Sequence, residues 1–138
     1  MTPDEARRRF AAARVARLAT ADAGGRPHVV PVTFAVAGDT VYSAVDAKPK
    51  RGTALRRLAN VRANPRVALL VDHYAEDWDT LWWVRADGAG RVLETEDPEA
   101  VRAAELLADR YPRFALRGAV LAVDVDAWSG WSALHEEE

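Results

Sequence analysis

The sequence contains no cysteine among its 138 residues. Disulfide bridges, thiol nucleophiles and cysteine-ligated metal sites are therefore excluded, and the composition is typical of a reducing compartment. No apolar run approaches the roughly 20 residues that a membrane-spanning helix requires. The first five residues lack the basic start and the apolar stretch of a signal peptide. We therefore expect a cytoplasmic protein with no membrane partner.

The common catalytic and nucleotide-binding signatures are also missing. The sequence has no phosphate-binding glycine loop and no serine in a nucleophile elbow. His28, His73 and His135 do not have the spacing of metal ligands, so we predict no metal site. The net charge of −2 argues against general nucleic-acid binding, which requires an excess of positive charge. We accordingly predict no catalytic side chain and no nucleic-acid partner.

What the sequence does contain is the composition of one folded domain, which we take as residues 1–138. Hydrophobic residues make up 49% and charged residues 29% of the chain, close to the average for globular proteins. A chain of this length can bury a core of its own. The sequence also carries 5 tryptophans. Tryptophan is suited to stacking on flat ligands and to anchoring interfaces.

Local signals predict three helices and a series of short strands. Thr2, Pro3 and Glu5 form a capping box with a proline at the first helical position, and Asp97 and Pro98 repeat this start signal. We predict helices at residues 2–14, 53–64 and 97–111, and strands at residues 15–22, 27–36, 40–45, 66–74, 80–85, 90–95 and 118–132.

Details of the strand pattern predict how the sheet is built. Pro31 cannot donate a hydrogen bond to a neighbouring strand, so we expect it at a sheet edge or a bulge. Asp87 and Gly88 predict a turn between two strands. The unbroken apolar centre of residues 66–74 predicts a strand that is covered on both faces. Six or more antiparallel strands in one small domain indicate a closed or nearly closed barrel.

A basic loop follows two neighbouring strands. Lys48, Lys50 and Arg51 lie just before the helix predicted to begin at Thr53. The free N–H groups and the dipole of a helix N-terminus add to such side-chain charge, and together they form a phosphate site. A solvated surface loop explains the same residues. The local chemistry leaves both interpretations open.

The order of these segments resembles a known family over nearly the whole chain. The pieces that carry the resemblance are Pro-His-Val-Val-Pro-Val at residues 27–32, the lysine-containing loop, and Asn-Pro-Arg-Val-Ala-Leu at residues 64–69. Together they resemble the pyridoxamine 5'-phosphate oxidase-like split-barrel superfamily of flavin- and deazaflavin-binding proteins. Trp-Trp-Val-Arg at residues 82–85 and the tryptophan-rich residues 123–131 are similar to its actinobacterial branch, which is thought to use coenzyme F420.

The resemblance implies a mainly β fold, a six-stranded antiparallel split barrel with flanking helices. It also implies a homodimer that binds its cofactor between the subunits. The residues implied for the ring are Val29, Val30, Pro31, Val32 and Thr33, with His28 next to them, and the backbone around Pro31 and Val32 is implied to meet the polar edge of the ring. Those implied for the phosphate are Ser43, Lys48, Lys50 and Arg51. Trp78 of the partner subunit is implied to stack on the ring. Arg56 and Arg57 either extend the cationic track toward a polyglutamate tail or form a solvated helix face. His28 either protonates a reduced product or is structural.

Two departures from the family pattern narrow the function. Residues 131–136 lack the closely spaced arginine and histidine of the true pyridoxamine phosphate oxidases, so we do not expect vitamin B6 oxidation. Residues 28–33 lack the arginine with which flavin-binding members reach the FMN phosphate, and this favours F420. We therefore predict an F420-dependent oxidoreductase that transfers a hydride to an electron-poor small molecule. The alternatives are an FMN-dependent oxidase or reductase of the same fold, a non-catalytic F420 carrier and, more remotely, a haem-binding split barrel.

Overall fold

A computed structural model describes residues 1–44, 53–112 and 118–134 of the chain. The helices are α1 (Pro3–Ala12), α2 (Thr53–Ala63) and α3 (Pro98–Arg110), with a short 3-10 turn at Trp78–Thr80. The strands are β1 (Ala16–Ala21), β2 (Pro27–Val32), β3 (Ala35–Ala37), β4 (Thr40–Ala44), β5 (Arg66–His73), β6 (Trp82–Leu93) and β7 (Val120–Ser132).

The strands form one antiparallel sheet in the order β2-β1-β5-β6-β7-β4-β3. Its first and last strands, β2 and β3, are separated along the chain only by Thr33 and Phe34. The sheet must therefore curl until its two edges meet, which makes a barrel with a split between them. The sequence predicted residues 27–36 as one strand. Counted as one bent strand, β2 and β3 give the six strands of the predicted split barrel.

The predicted turn at Asp87 and Gly88 is wrong, because β6 runs through both residues as one strand. The register between β6 and β7 shifts at this point and passes over Asp126, which marks a β-bulge. A Cβ atom on Gly88 would lie 2.3 Å from the backbone oxygen of Asp124. The glycine is therefore required by the close approach of β7, whereas the sequence signal suggested a hairpin.

The predicted starts of α1 and α3 are confirmed by their hydrogen bonds. The Glu5 backbone N–H donates to Thr2 Oγ1 at 3.1 Å, and the Glu99 N–H donates to an Asp97 carboxylate oxygen at 2.8 Å. Helix α1 ends at Ala12, two residues before the predicted end. No helix in the described part of the chain is both long and apolar enough to span a membrane.

The barrel interior holds the main hydrophobic core. Phe10 of α1 and Phe34 are fully buried there, with ring centroids 4.7 Å apart. Helix α1 packs near the start of β6, and α2 packs near its end, where Val61 lies against Gly90. The two helices therefore close opposite ends of the barrel. Helix α3 packs outside, and Leu107 joins a second buried cluster with Tyr42.

Strand β5 is covered on only one face within this chain. Val67, Leu69 and Val71 point into the core, whereas Leu70 is 38% exposed on the other face. The prediction of a strand buried on both faces is therefore wrong for the single chain. Buried and more exposed side chains alternate along the centre of β5, but because both kinds are apolar there, residue type alone does not reveal the alternation.

Candidate functional site

The expected ring-binding strand, β2, forms one edge of the sheet, as Pro31 predicted. Its side chains alternate: Val29 is 62% exposed and Pro31 is exposed, whereas Val30 and Val32 are buried in the barrel core. Only the first pair can line a ligand on the outer surface with side chains. Val30 and Val32 can contribute only backbone groups there, which corrects the idea that the whole run lines the ring.

The split in the barrel brings this strand close to the chain that leads into the basic loop. Ala35 of β3 lies opposite Tyr42 of β4. The ladder between these strands begins at this pair, and Ser43 follows Tyr42 on β4. The first predicted phosphate residue therefore lies at the end of β4 that leads into the basic loop. Lys48, Lys50 and Arg51 lie outside the described residues, and their phosphate role stays a prediction.

Helix α2 covers this end of the barrel. Asn60 Nδ2 donates to Thr20 Oγ1 at 3.0 Å, and Thr20 lies opposite His28 in the β1–β2 ladder. On the other side, Ser43 lies opposite Leu121, which flanks Gly90 together with Val61 of α2. His28 and Ser43 are thus both brought beneath α2, although they are distant from it in sequence.

Buried polar atoms without hydrogen-bond partners collect at this end. Four such atoms are found among the described residues, and three of them belong to this end: His28 Nδ1, Ser43 Oγ and Arg57 Nε. The fourth, Ser129 Oγ, lies on β7 opposite Arg85. Burial lowers the pKa of the Arg57 guanidinium below its ordinary value. A buried polar group that lacks a partner costs free energy, so three such groups at one barrel end indicate a place for a ligand. A hydroxyl and a guanidinium are donors suited to phosphate oxygens, so these residues fit the phosphate of a cofactor.

Arg56, the residue directly before Arg57 on α2, is exposed. A hydrogen bond from the backbone N–H of Arg26 lowers the pKa of Asp22, and the charge of Arg56 adds to this effect. Arg56 therefore lies toward the β1–β2 hairpin, whose turn is permitted by Gly25 at a φ of 88°. The structure leaves Arg56 as a solvated cation beside the barrel end.

The outer face of β5 and β6 forms a second open surface. A groove of about 450 Å³ is lined there by Leu70, Asp72, Tyr74, Trp83 and Arg85. Tyr74 and Trp78, in the connection between the strands, are 68% and 76% exposed. Within one chain β1 separates β2 from β5, so Trp78 is not brought to the ring-binding strand. We name this surface, formed by the five groove residues together with Trp78, the β5–β6 face.

Sequence reasoning missed two residues that support the site. Arg110 and Tyr111, at the end of α3, bond the backbone of Phe34 at the split. Nothing in the local sequence signals this contact, because Phe34 lies far away along the chain. The groove residues Leu70 and Arg85 were also missed, although the hydrophobicity of Leu70 was a signal. Among the described residues, no group of three or more histidines and carboxylates is arranged to hold a metal ion.

The mainly β architecture, with three helices around an antiparallel sheet, defines a split-barrel protein. The chain belongs to the pyridoxamine 5'-phosphate oxidase family, whose model matches residues 2–132. The search of curated proteins found no match.

Solved structures share the fold at low sequence identity. A conserved hypothetical protein from Mycobacterium tuberculosis is 22% identical, with a TM-score of 0.76 over 96% of this chain and 86% of that one. A FAD-binding protein from Mesorhizobium loti is 25% identical, with a TM-score of 0.72 over 94% of each chain. The haem storage protein HutZ from Vibrio cholerae is 15% identical, with a TM-score of 0.73 over 98% of this chain and 100% of that one.

Proposed function

We propose that this protein is a coenzyme F420-dependent oxidoreductase that acts on an electron-poor small molecule. The observation that carries the proposal is the meeting of two features at one barrel end. An exposed edge strand without a charged side chain at residues 28–33 lies beside buried donors that have no partner, Ser43 Oγ and Arg57 Nε. The first suits a flat ring and the second suits its phosphate.

Each side chain has a distinct task in this proposal. Val29 and Pro31 present an apolar surface to the ring, and the backbone around Pro31 and Val32 meets its polar edge. Ser43 and Arg57 hold the phosphate, together with Lys48, Lys50 and Arg51. The bound cofactor supplies the hydride, while the protein orients it and excludes water. Solvent completes the protonation, so no catalytic side chain is required.

Charge favours F420 over FMN. Residues 28–33 offer no cation to the FMN phosphate, whereas Arg56 and Arg57 on α2 extend positive charge beyond the barrel end. F420 carries a phosphodiester and a polyglutamate tail, and therefore needs this longer cationic track. Since exposed charges are screened by salt, binding of the tail should weaken as ionic strength rises.

We further propose a homodimer with the cofactor between the subunits. Val29, Leu70, Tyr74 and Trp78 leave an apolar and aromatic surface exposed on a single chain, and such surfaces mark interfaces. In a dimer, Trp78 of the partner subunit reaches the ring that its own chain cannot reach. Light scattering at micromolar concentration should give twice the chain mass of 15.1 kDa. A monomeric mass would overturn this part of the proposal.

Tryptophan fluorescence titrations with F420, FMN and haem test the proposal as a whole. We expect quenching by F420 in the low micromolar range and much weaker binding of FMN and haem. Preference for FMN would support the flavin oxidase or reductase instead, in keeping with the FAD-binding relative. Binding of none of the three would leave only the fold. Tight binding of F420 without reduction of any acceptor in a broad screen would support the carrier.

A matched pair of variants localises the binding. Val29→Glu places a negative charge on the ring-facing side of β2, where the residue is 62% exposed, whereas Val101→Glu does the same on α3 at 49% exposure. We expect Val29→Glu to raise the dissociation constant for F420 at least about tenfold, and Val101→Glu to leave it unchanged. Equal affinities of both variants would remove β2 from the site.

A further inference from the structure

The split between β2 and β3 leaves backbone groups that the sheet does not pair. The chain leaves its ladder with β1 at Val32 and begins its ladder with β4 at Ala35. Phe34 lies between these points and is fully buried, so its N–H and C=O groups need other partners. Helix α3 supplies them: the Phe34 N–H donates to Tyr111 Oη at 3.3 Å, and Arg110 Nη1 donates to the Phe34 oxygen at 2.9 Å.

The same two residues are tied to the chain that follows α1. Tyr111 Oη lies 2.9 Å from the carbonyl oxygens of both Arg14 and Phe34, and its single hydrogen can satisfy one of them at a time. Arg110 Nη2 also donates to the Ala13 oxygen. The Arg110 guanidinium lies 5.0 Å from the centre of the Phe34 ring, in a cation–π contact. We name Arg110 and Tyr111 the α3 clamp.

We infer that the α3 clamp positions the ring-binding backbone. Val32, two residues before the clamped Phe34, belongs to the backbone that the proposed function assigns to the polar edge of the ring. A fixed Phe34 backbone determines where the edge strand leaves β1. It therefore also determines the direction of the backbone N–H and C=O groups of the residues before Phe34. Neither clamp residue touches the cofactor in this inference, which rests on the proposed function.

A second tyrosine provides a control for a merely structural role. Tyr42 Oη donates to Glu99 Oε2 at 2.7 Å, which ties the first turn of α3 to the barrel. Tyr42 and Tyr111 are 9% and 7% exposed, so both are buried tyrosines that anchor the same helix. Of the two hydroxyls, that of Tyr111 bonds the Phe34 backbone at the split, whereas that of Tyr42 bonds the Glu99 side chain. Loss of either hydroxyl should lower the melting temperature, but only loss of the Tyr111 hydroxyl should change the cofactor site.

The experiment compares Tyr111→Phe with Tyr42→Phe in the full chain, at a temperature where both variants are folded. We expect Tyr111→Phe to weaken F420 binding by about five- to tenfold, the effect of one hydrogen bond, and Tyr42→Phe to leave it unchanged. In amide spectra of the cofactor-free protein, the Thr33 and Phe34 signals should shift only in Tyr111→Phe. If Tyr111→Phe does not fold, Arg110→Lys replaces it, because lysine keeps the charge and loses the forked contacts.

Equal F420 affinity in the wild type and in Tyr111→Phe overturns the inference. So does an equal loss of affinity in the two tyrosine variants, because that result assigns the clamp to general stability. Failure of the proposed function looks different: the wild-type protein itself then binds neither F420 nor FMN, and the inference falls with it.

Discussion

The two sides of this barrel differ in whether their polar groups find hydrogen-bond partners within the chain. On the side covered by α3, Arg91 donates to both carboxylate oxygens of Glu99, at 2.7 and 2.9 Å, and to Asp124 at 2.6 Å. Tyr42 donates to the same Glu99 carboxylate. These groups are close together and satisfy one another, so their hydrogen-bonding capacity is used within the chain.

The side formed by β2 and the β5–β6 face has the reverse character. Apolar side chains such as Val29 and Trp78 stand in solvent there, and at the barrel end beneath α2 the buried donors Ser43 Oγ and Arg57 Nε lack partners. Each of these features costs free energy in an isolated chain. Under the proposed function, the α3 side supplies stability, whereas a cofactor and a second subunit would complete the other side.

The largest expected difference between the sides is in the cost of removing a leucine. Leu107 of α3 is fully buried, whereas Leu70 on the β5–β6 face is 38% exposed. We expect Leu107→Ala to lower the free energy of unfolding by about 2–5 kcal/mol, as for other buried leucines. Leu70→Ala should weaken self-association and leave the fold intact. Urea unfolding and sedimentation measure the two effects, and a greater loss of stability in Leu70→Ala would break the comparison.

The second-largest effect on stability is expected at the bulge between β6 and β7. A Cβ atom on Gly88 would collide with the Asp124 backbone, whereas one on Gly24 would make an ordinary contact of 3.5 Å. We expect Gly88→Ala to cost about 1–3 kcal/mol, because the strands must move apart, and Gly24→Ala to be nearly neutral. Thermal unfolding of both variants checks this. Equal stability would mean that β7 does not approach β6 so closely.

The Arg91–Glu99 contact predicts a pH dependence on the α3 side. Hydrogen bonds from Arg91 and then Tyr42 lower the pKa of Glu99 from its usual 4.5 to about 2. A lowered carboxyl pKa contributes stability above the unfolded-state value and loses it as the pH falls toward about 2. We therefore expect Glu99→Gln to cost about 1–2 kcal/mol at pH 7 and progressively less between pH 5 and pH 2.

Glu94→Gln is the control for this pH effect. This substitution removes the same charge as Glu99→Gln, but the contact between Glu94 and Arg62 is exposed and 3.5 Å long. Exposed pairs of this kind contribute little, so its stability should follow that of the wild type at every pH. A pH-independent cost in Glu99→Gln would show that the carboxylate charge is not what the contact uses.

The smallest change in stability is expected at Trp78. At 76% exposure its replacement by alanine should alter the free energy of unfolding by less than about 0.5 kcal/mol. F420 binding should nevertheless weaken by about three- to tenfold, through loss of ring stacking. Leu106→Ala, at 41% exposure on α3, is the control and should change neither quantity. Unchanged F420 affinity in Trp78→Ala would remove the partner's tryptophan from the site.

Features set by neighbouring residues were predictable from the sequence. The starts of α1 and α3 follow from Thr2 and Asp97, since a cap and its partner lie within one turn of each other. The split at Phe34 and the bulge at Gly88 were not predictable, because the β4 strand and the Asp124 oxygen that determine them are distant along the chain. They became visible only once the strands were paired.

The candidate site was likewise predictable only in part. Motif resemblance selected Ser43, and the positive charge that F420 requires selected Arg57; both have unpartnered buried atoms in the structure. It could not separate Val29 from Val30, because a motif treats a run of residues as a unit, whereas a strand sends alternate side chains to opposite faces. Tyr111 carried no signal, since its partner at Phe34 is brought to it by the fold.

Amide hydrogen exchange with and without F420 tests most directly whether the open side is the binding side. Binding should protect peptides that cover residues 27–33 and 74–83 and leave those from α3 unchanged. Protection confined to α3 and β7, with none at β2, would contradict the assignment of stability and binding to opposite sides of the barrel.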